Sequence, residues 1–253
     1  MKILESLQAK SRQGKKSIAV LIDPDKINNA SQLEPLLRLA AEDCVDYVFV
    51  GGSLVTTNNM AEVIKTIKEN VSMPVVLFPG SALQVEPTAD AILFLSLISG
   101  RNPDLLIGQH VIAAPILKNN KLEILPTGYI LINSGKTTSV AYISNTTPIP
   151  EDKYSLAACT AMAGEMLGLK LIYLDAGSGA EREVNQKMIS TVKKSVDIPL
   201  IVGGGINTPQ KAYNALEAGA DMIVIGNALE KSPDLLTEIS DTVYNWNQAV
   251  TKK

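Results

Sequence analysis

Eight short apolar segments recur along the chain, and each is bounded by Gly, Pro, Asp or Ser. They are four to six residues long, rich in Val, Ile and Leu, and do not alternate with polar residues. Such runs are typical of strands buried on both faces, which indicates a parallel sheet. The predicted strands are residues 17–22, 46–50, 74–78, 91–95, 128–132, 170–174, 199–202 and 222–225.

Amphipathic segments with helical spacing lie between most of these strands. The predicted helices are residues 31–42, 59–71, 154–167, 183–196, 209–218 and 233–248. Eight strands joined by helices within 253 residues predict an α/β fold of the (β/α)8 TIM barrel class. No internal repeat or linker interrupts the pattern, so we expect one domain over residues 1–253.

Two connections depart from this pattern. Residues 79–90, between the third and fourth strands, are too few for a full helix with its loops. We therefore predict a third helix that is shortened or replaced by a loop. Residues 133–150, after the fifth strand, are long, polar and rich in Ser and Thr. This segment is either a solvated insertion or a lid over the active face of the barrel.

The composition narrows the function classes. Lys and Arg number 23 against 26 Asp and Glu, and the net charge of −3 argues against a nucleic-acid partner. The sequence contains no run of eighteen apolar residues, so it predicts no membrane-spanning helix. The two cysteines, Cys44 and Cys159, are too few for a disulfide framework, and we expect small core residues in a reduced cytoplasm. The single histidine, His110, argues against His-dependent triads and is interpreted as structural.

In a TIM barrel the catalytic groups cluster at the carboxyl ends of the strands. The seventh and eighth predicted strands are followed there by Gly203-Gly204-Gly205 and Gly226-Asn227. Loops at these two positions are the usual phosphate site of the fold, because backbone N–H groups can approach an anion closely. The alternative interpretation is that the glycines only form tight turns.

Two carboxylates follow other predicted strands. Asp175 ends the sixth strand within YLDAGSG, where it could act as a general base or hold a substrate hydroxyl, or could merely cap the next turn. Asp23 opens DPDK after the first strand. With the Ser53 hydroxyl it could form a partial Mg²⁺ shell completed by substrate phosphate, while Lys26 neutralises further charge. Asp and Pro after a strand are also ordinary turn formers.

Taken in order, the strand-end motifs resemble those of the geranylgeranylglyceryl phosphate synthases. The resemblance covers residues 18–229 and favours the longer group of this family, found in archaea and some bacteria. It departs from the family at Asp175, where Glu is the common residue. The motifs that carry it are DPDK, FVGGS, FPGS, LSLISGRNP, PTGYILIN, YLDAGSG, IVGGGI and VIGNALE.

This resemblance implies an enzyme that joins sn-glycerol 1-phosphate to a long prenyl diphosphate, geranylgeranyl diphosphate above all, with Mg²⁺ and release of diphosphate. It implies a metal site at Asp23 and Ser53, and a homo-oligomer, with hexamers in the longer group. Transient contact with a membrane surface is a further expectation. The positions that correspond to the glycerol 1-phosphate site are Tyr173, Leu174, Asp175, Ala176, Gly177, Ser178, Gly179, Gly204, Gly205, Gly226 and Asn227.

Ionisation of an allylic diphosphate leaves a carbocation and an anion. Because the prenyl tail is a long hydrocarbon, the enzyme also needs an apolar groove to hold it. The short third crossover is the expected place for that groove.

The sequence leaves two alternative functions open. One is another phosphate-binding barrel enzyme, of the sugar-phosphate isomerase or indole synthase type, which would need neither metal nor groove. The other is a non-catalytic barrel that binds a phosphorylated ligand.

Overall fold

Eight parallel strands close into a barrel in chain order in the computed structural model, which describes residues 2–27, 29–42 and 45–251. The predicted TIM barrel is thereby confirmed. The strands are β1 (Ser17–Ile22), β2 (Tyr47–Val50), β3 (Val75–Leu77), β4 (Ala91–Leu97), β5 (Glu123–Leu131), β6 (Leu171–Asp175), β7 (Leu200–Gly203) and β8 (Met222–Ile225).

Helices surround the barrel and connect its strands. One of them, α1, precedes the first strand, and two each follow β5 and β8. The helices are α1 (Ile3–Arg12), α2 (Glu34–Glu42), α3 (Met60–Asn70), α4 (Gln109–Lys118), α5 (Ser139–Ser144), α6 (Tyr154–Met166), α7 (Gln186–Lys193), α8 (Pro209–Ala218), α9 (Asn227–Lys231) and α10 (Leu235–Thr251).

The apolar side chains form two layers, because successive residues of a strand point to opposite faces. One layer lies between the strands and the helices and includes Ile18, Val48, Ile92, Ile172 and Leu200. The other fills the barrel interior and includes Ala19, Phe49, Leu93, Leu125, Tyr129 and Tyr173. Since both layers are apolar, the strands read as continuous hydrophobic runs in the sequence.

The connection between β3 and β4 contains only a single helical turn, Ala82–Gln84. This confirms that the third helix is replaced by a loop. The polar segment 133–150 carries α5, which ends at Asn145 with a left-handed backbone conformation (φ 49°). The same segment is tied to the end of β5 by a bridge between Ile132 and Ile149.

The amino-terminal helix α1 is absent from the sequence prediction. Its residues Ile3 and Leu7 belong to the apolar layer inside the barrel. The Glu123 carboxylate at the start of β5 accepts the backbone N–H groups of Ile3 and Leu4 at 2.8 and 2.9 Å. It thereby satisfies donors that a helix start leaves unpaired. These contacts close the amino-terminal end of the barrel, so the open end is the one with the predicted site.

Some element bounds and one core assignment differ from prediction. Strand β5 begins five residues earlier than predicted, at Glu123. Helix α7 begins only at Gln186, because the Asn185 side chain caps it by accepting the Met188 N–H at 2.9 Å. Cys159 is exposed on α6, so its predicted place in the core is wrong. Cys44 lies outside the described residues. No helix in the described part of the chain has the length and apolar character to cross a membrane.

Candidate active site

A cavity of about 1420 Å³ opens at the carboxyl ends of the barrel strands. It brings together residues that are far apart in the sequence, which is the arrangement expected of an active site in this fold. The predicted site residues that line it are Asp23, Ser53, Tyr173, Asp175, Gly177, Ser178, Gly179, Gly204, Gly205, Gly226 and Asn227.

Two residues of the predicted substrate site do not line this cavity. Leu174 and Ala176 flank Asp175, and both side chains are buried in the apolar layer between strands and helices. Alternation along the strand explains this, since Tyr173 and Asp175 point into the barrel while Leu174 points out of it. The binding of substrate by Leu174 and Ala176 stays a prediction, and only their backbone atoms could take part in it.

Asp175 is a buried carboxylate at the floor of the cavity. One carboxylate oxygen, Oδ1, accepts the Gly177 N–H at 2.8 Å, and the other, Oδ2, accepts the hydroxyl of Tyr129. Burial raises the pKa of Asp175, and the hydrogen bonds from Tyr129 and Gly177 oppose that rise. These bonds fix the orientation of the carboxylate. A carboxylate with a raised pKa at a cavity floor suits proton abstraction.

The glycine loops after β6 and β7 touch one another. Gly204 has a left-handed backbone (φ 81°), and a Cβ placed there would lie 2.7 Å from the Gly177 nitrogen and 2.8 Å from Asp175 Oδ1. Across the mouth, the Ser178 hydroxyl donates to Asn227 Oδ1 at 3.0 Å. The three loops after β6, β7 and β8 therefore form one continuous wall of the cavity, which is rich in glycine and which we call the glycine wall.

We expect a side chain at Gly204 to disrupt this wall. Gly204→Ala should raise the KM for the phosphate-bearing substrate that the resemblance implies about tenfold or more, because the new methyl group overlaps Gly177 and Asp175 and the backbone conformation disfavours alanine. Gly168→Ala is the matched control. Gly168 has a similar left-handed backbone (φ 93°) but does not line the cavity, and a Cβ there meets nothing within 4 Å, so the KM should change little. Steady-state kinetics and circular dichroism of both variants test this, and normal kinetics for Gly204→Ala would refute the wall as a binding surface.

Asp23 and Ser53 line the mouth after the neighbouring strands β1 and β2, and β1 pairs with β8 on its other side. A Cβ on Gly52, next to Ser53, would be 3.5 Å from Asp23 Oδ1. Oδ1 also accepts the Asp25 N–H at 3.1 Å, and burial raises the pKa of Asp23. Among the described residues no group of three or more His, Cys, Asp or Glu side chains could enclose a metal ion. A Mg²⁺ ion here would combine the Asp23 carboxylate with oxygens from water and substrate phosphate.

Lys26 links this side of the mouth to the glycine wall. Its ammonium group donates to Glu230 at 2.8 Å and to Asn227 Oδ1 at 3.2 Å, and lies 3.8 Å from Asp23 Oδ2. Glu230 lines the cavity and is missing from the sequence prediction. Its pairing with Lys26 joins the loops after β1 and β8. Lys26 therefore lies between the glycine wall and the predicted metal site at Asp23 and Ser53.

The cavity continues outside the barrel at the short third crossover. Ile92 and Phe94 project from the outer face of β4, yet both line the cavity, together with Val85 and with Ala113 of α4. The turn after β3 is tied to α4 through the Ala82 N–H, which donates to Gln109 Oε1 at 2.9 Å. An apolar groove thus occupies the place of the absent helix.

His110 belongs to the wall of this groove. Its Nε2 lies 3.0 Å from the Ser96 hydroxyl, and its ring meets Phe94 edge-on with centroids 4.4 Å apart. Burial lowers the pKa of His110, which favours the neutral form of the ring. These contacts agree with a structural role.

The segment with α5 also lines the cavity, through Thr138 and Tyr142 among others, which places it over the active face rather than away from it.

A family model described as the PcrB family matches residues 11–243. The chain belongs to the PcrB family. It is 58% identical over 239 residues to a geranylgeranylglyceryl phosphate synthase of Spirosoma linguale, covering 94% of this chain and 96% of that one. It is 54% identical to one of Chitinophaga pinensis, covering 96% of both chains. The resemblance inferred from the strand-end motifs is confirmed.

Solved structures agree with this membership of the PcrB family. One is (S)-3-O-geranylgeranylglyceryl phosphate synthase from Thermoplasma acidophilum in complex with sn-glycerol 1-phosphate. It has a TM-score of 0.91 and 34% identity, and the match covers 97% of this chain and 99% of that one. A thiamine phosphate pyrophosphorylase from Pyrococcus furiosus has a TM-score of 0.57 at 16% identity over 93% of this chain and 98% of that one, which shows a shared barrel fold alone.

Tyr129 is a site residue that the sequence prediction missed, and its contact with Asp175 gives a pH-dependent expectation. Tyr129→Phe removes a hydrogen bond that lowers the pKa of Asp175. The acid limb of kcat/KM should then move to higher pH, because the carboxylate must be ionised to accept a proton. Tyr47→Phe, deeper in the barrel, should leave the limb in place. An unmoved limb in Tyr129→Phe would contradict Asp175 as the titrating base.

Proposed function

We propose that this cavity joins sn-glycerol 1-phosphate to a long prenyl diphosphate, forming an ether bond and releasing diphosphate. The chain is a prenyltransferase of the geranylgeranylglyceryl phosphate synthase type, as its family and its relatives over nearly their full length indicate. One observation carries the assignment of the cavity. A single space connects a glycine-rich wall and a buried carboxylate to an apolar groove outside the barrel.

In this proposal the glycerol phosphate lies between the glycine wall and Asp175. The phosphate contacts the backbone at Gly204, Gly205, Gly226 and Asn227, and the reacting hydroxyl faces Asp175. Holding the molecule at both ends selects which hydroxyl meets the donor, and such positioning supplies much of the rate enhancement. The complex of the Thermoplasma acidophilum relative with sn-glycerol 1-phosphate supports this choice of acceptor.

The donor diphosphate is proposed to lie near Asp23, Ser53 and Lys26. A single carboxylate beside a hydroxyl fits Mg²⁺, which binds through one or two carboxylates together with substrate phosphate oxygens and water. When bound, Mg²⁺ would supply charge stabilisation for the departing diphosphate. Lys26 places its ammonium group next to this site, at 3.8 Å from Asp23 Oδ2.

The prenyl tail is proposed to occupy the groove along the outer face of β4. Its apolar side chains suit a hydrocarbon of geranylgeranyl type, and the groove begins at the turn that follows β3. This feature favours prenyl transfer over the alternatives. A sugar-phosphate isomerase or an indole-type synthase has no use for such a groove, and a non-catalytic barrel needs no buried carboxylate beside its phosphate wall.

Location and assembly are further parts of the proposal. We place the enzyme in the cytoplasm as a homo-oligomer, hexamers included, that contacts membrane surfaces transiently to obtain its lipid donor. Apolar side chains near the groove support such contacts, since Leu83 is 96% exposed and Tyr142 is 80% exposed.

The assignment is tested with purified protein, radiolabelled sn-glycerol 1-phosphate and prenyl diphosphates of ten to thirty-five carbons. We expect a labelled ether lipid with a preference for long donors, and loss of product when a chelator removes divalent cations. Isomers such as sn-glycerol 3-phosphate serve as controls for the acceptor. Absence of product with every donor would overturn the proposal.

A further inference from the structure

The floor of the cavity is built from aromatic rings, although only 4% of the chain is aromatic. Phe78, Tyr129 and Tyr173 all line the cavity. The Phe78 ring stacks on Tyr173 with centroids 5.4 Å apart and an interplanar angle of 18°. Tyr129 meets both rings edge-on, at 6.0 Å from Phe78 and 5.5 Å from Tyr173. The three rings therefore form one unit, and we name it the aromatic floor.

The aromatic floor lies between the regions that hold the two reactants. Tyr129 donates its hydroxyl to Asp175 on the acceptor side. Phe78 follows β3 directly, and its N–H donates to the Val50 carbonyl of β2 at 2.8 Å. It therefore neighbours the strand end that carries Ser53. Because Phe78 stacks on Tyr173 of β6, its ring extends from the donor side of the mouth toward the acceptor side.

Phe78 differs from the other two rings in exposure. Tyr129 and Tyr173 are buried, whereas Phe78 is only partly buried and packs at the edge of the interior layer. Tyr173 stacks on one face of the ring, Tyr129 meets it edge-on, and the partly exposed ring lines the cavity. An aromatic ring attracts positive charge placed over its face through its quadrupole.

We propose that Phe78, held by Tyr173 and Tyr129, is a catalytic residue that stabilises the allylic cation of the prenyl donor. This inference rests on the proposed prenyl transfer. The bond between C1 of the donor and the diphosphate oxygen breaks, and its electron pair leaves with the diphosphate. The glycerol oxygen forms the new bond to C1, and its proton passes to Asp175. Positive charge on the allyl unit exists only between these events, so a ring that contacts it accelerates turnover without strengthening substrate binding.

The test replaces Phe78 by phenylalanines that carry one, two or three ring fluorines, introduced at a single codon. Fluorine withdraws charge from the ring face and changes its size little. We expect the single-turnover rate to fall stepwise, to about one tenth with three fluorines. The affinity for an unreactive thiolo analogue of the prenyl diphosphate should stay constant. Phe78→Leu should lose rate at least as strongly while it still binds the analogue.

Phe49 provides the matched control. It is buried inside the same barrel with its ring centroid 6.4 Å from Phe78, and it is not among the cavity residues. The same fluorine series at Phe49 should leave the single-turnover rate unchanged. Rates independent of fluorine number at Phe78, equal losses at both positions, or a parallel loss of analogue affinity would each overturn the inference. Absence of prenyl transfer in the unmodified enzyme would instead overturn the proposed function.

Discussion

Asp175→Asn should lower turnover by about 10²–10⁴-fold, the usual contribution of a general base. The carboxylate is held by the Gly177 N–H and the Tyr129 hydroxyl, so asparagine can keep the position while it loses the ability to take a proton. Binding of glycerol phosphate should change little, because the glycine wall remains. Steady-state turnover measured beside binding of the acceptor separates these two effects.

The pH dependence gives the same prediction a second readout. Burial raises the pKa of Asp175, and only the ionised form accepts a proton. Activity of the unmodified enzyme should therefore fall as the pH drops through that raised pKa. The Asn variant should lose this acid limb together with most of its rate.

Asp175→Glu is the informative companion variant, because it keeps the carboxylate and lengthens the side chain by one methylene. It should retain far more activity than Asn. Equal rates for the Asn and Glu variants, or an Asn variant close to the unmodified enzyme, would mean that Asp175 only shapes the turn. The proton would then have to pass to water or to the departing diphosphate.

The barrel could be predicted from the sequence because most of its strands are buried on both faces. Runs such as residues 199–202 and 222–225 contain no polar positions, and this pattern can be recognised without knowing which strands pair with one another. The short third crossover was equally predictable, since chain length alone excludes a helix there. Helix α1 was not, because its small apolar face, Ile3 and Leu7, gains meaning only against the closed end of the barrel.

Site residues at strand ends were predictable, whereas those inside the barrel were not. Asp23 and Ser53 follow β1 and β2, and the pairing of these two strands places both residues at the mouth. Tyr129 and Phe78 are read as core residues in a sequence, because nothing local distinguishes an aromatic ring that faces a cavity from one that is fully buried. The available signal was the register of β5 and β6, which sets Tyr129 beside Tyr173 on the face that Asp175 shares.

Glu230 illustrates a different limit of prediction. It occupies an exposed turn of α9 and would be taken for a solvated charge. Its importance comes from Lys26, which is 204 positions away in the chain and donates to it at 2.8 Å. Contacts of this kind depend on the closing of the barrel between β1 and β8, and no local pattern encodes them.

Asp23→Asn should reduce turnover about a hundredfold or more, because the charge that would hold Mg²⁺ beside the donor diphosphate is lost. The KM for glycerol phosphate should stay nearly constant, since Asp175 and the glycine loops after β6 and β7 keep their contacts in this variant. Asp104→Asn is the matched control. Asp104 also lines the cavity, but its carboxylate accepts the Gln109 side chain at 3.0 Å. This control should retain the dependence on Mg²⁺ of the unmodified enzyme.

A binding measurement makes the prediction for Asp23 independent of turnover. Titration calorimetry of Mg²⁺ into protein with inorganic diphosphate should show binding that weakens strongly in Asp23→Asn and persists in Asp104→Asn. The raised pKa of Asp23 also predicts the direction in which Mg²⁺ affinity changes with pH, because Mg²⁺ must displace a proton whenever the carboxylate is protonated. Apparent affinity should therefore rise with pH in the unmodified protein and lose much of that dependence in the Asn variant. Full activity in excess chelator, or identical titrations for both proteins, would remove Asp23 from the metal site and leave Lys26 as the cation that meets the diphosphate.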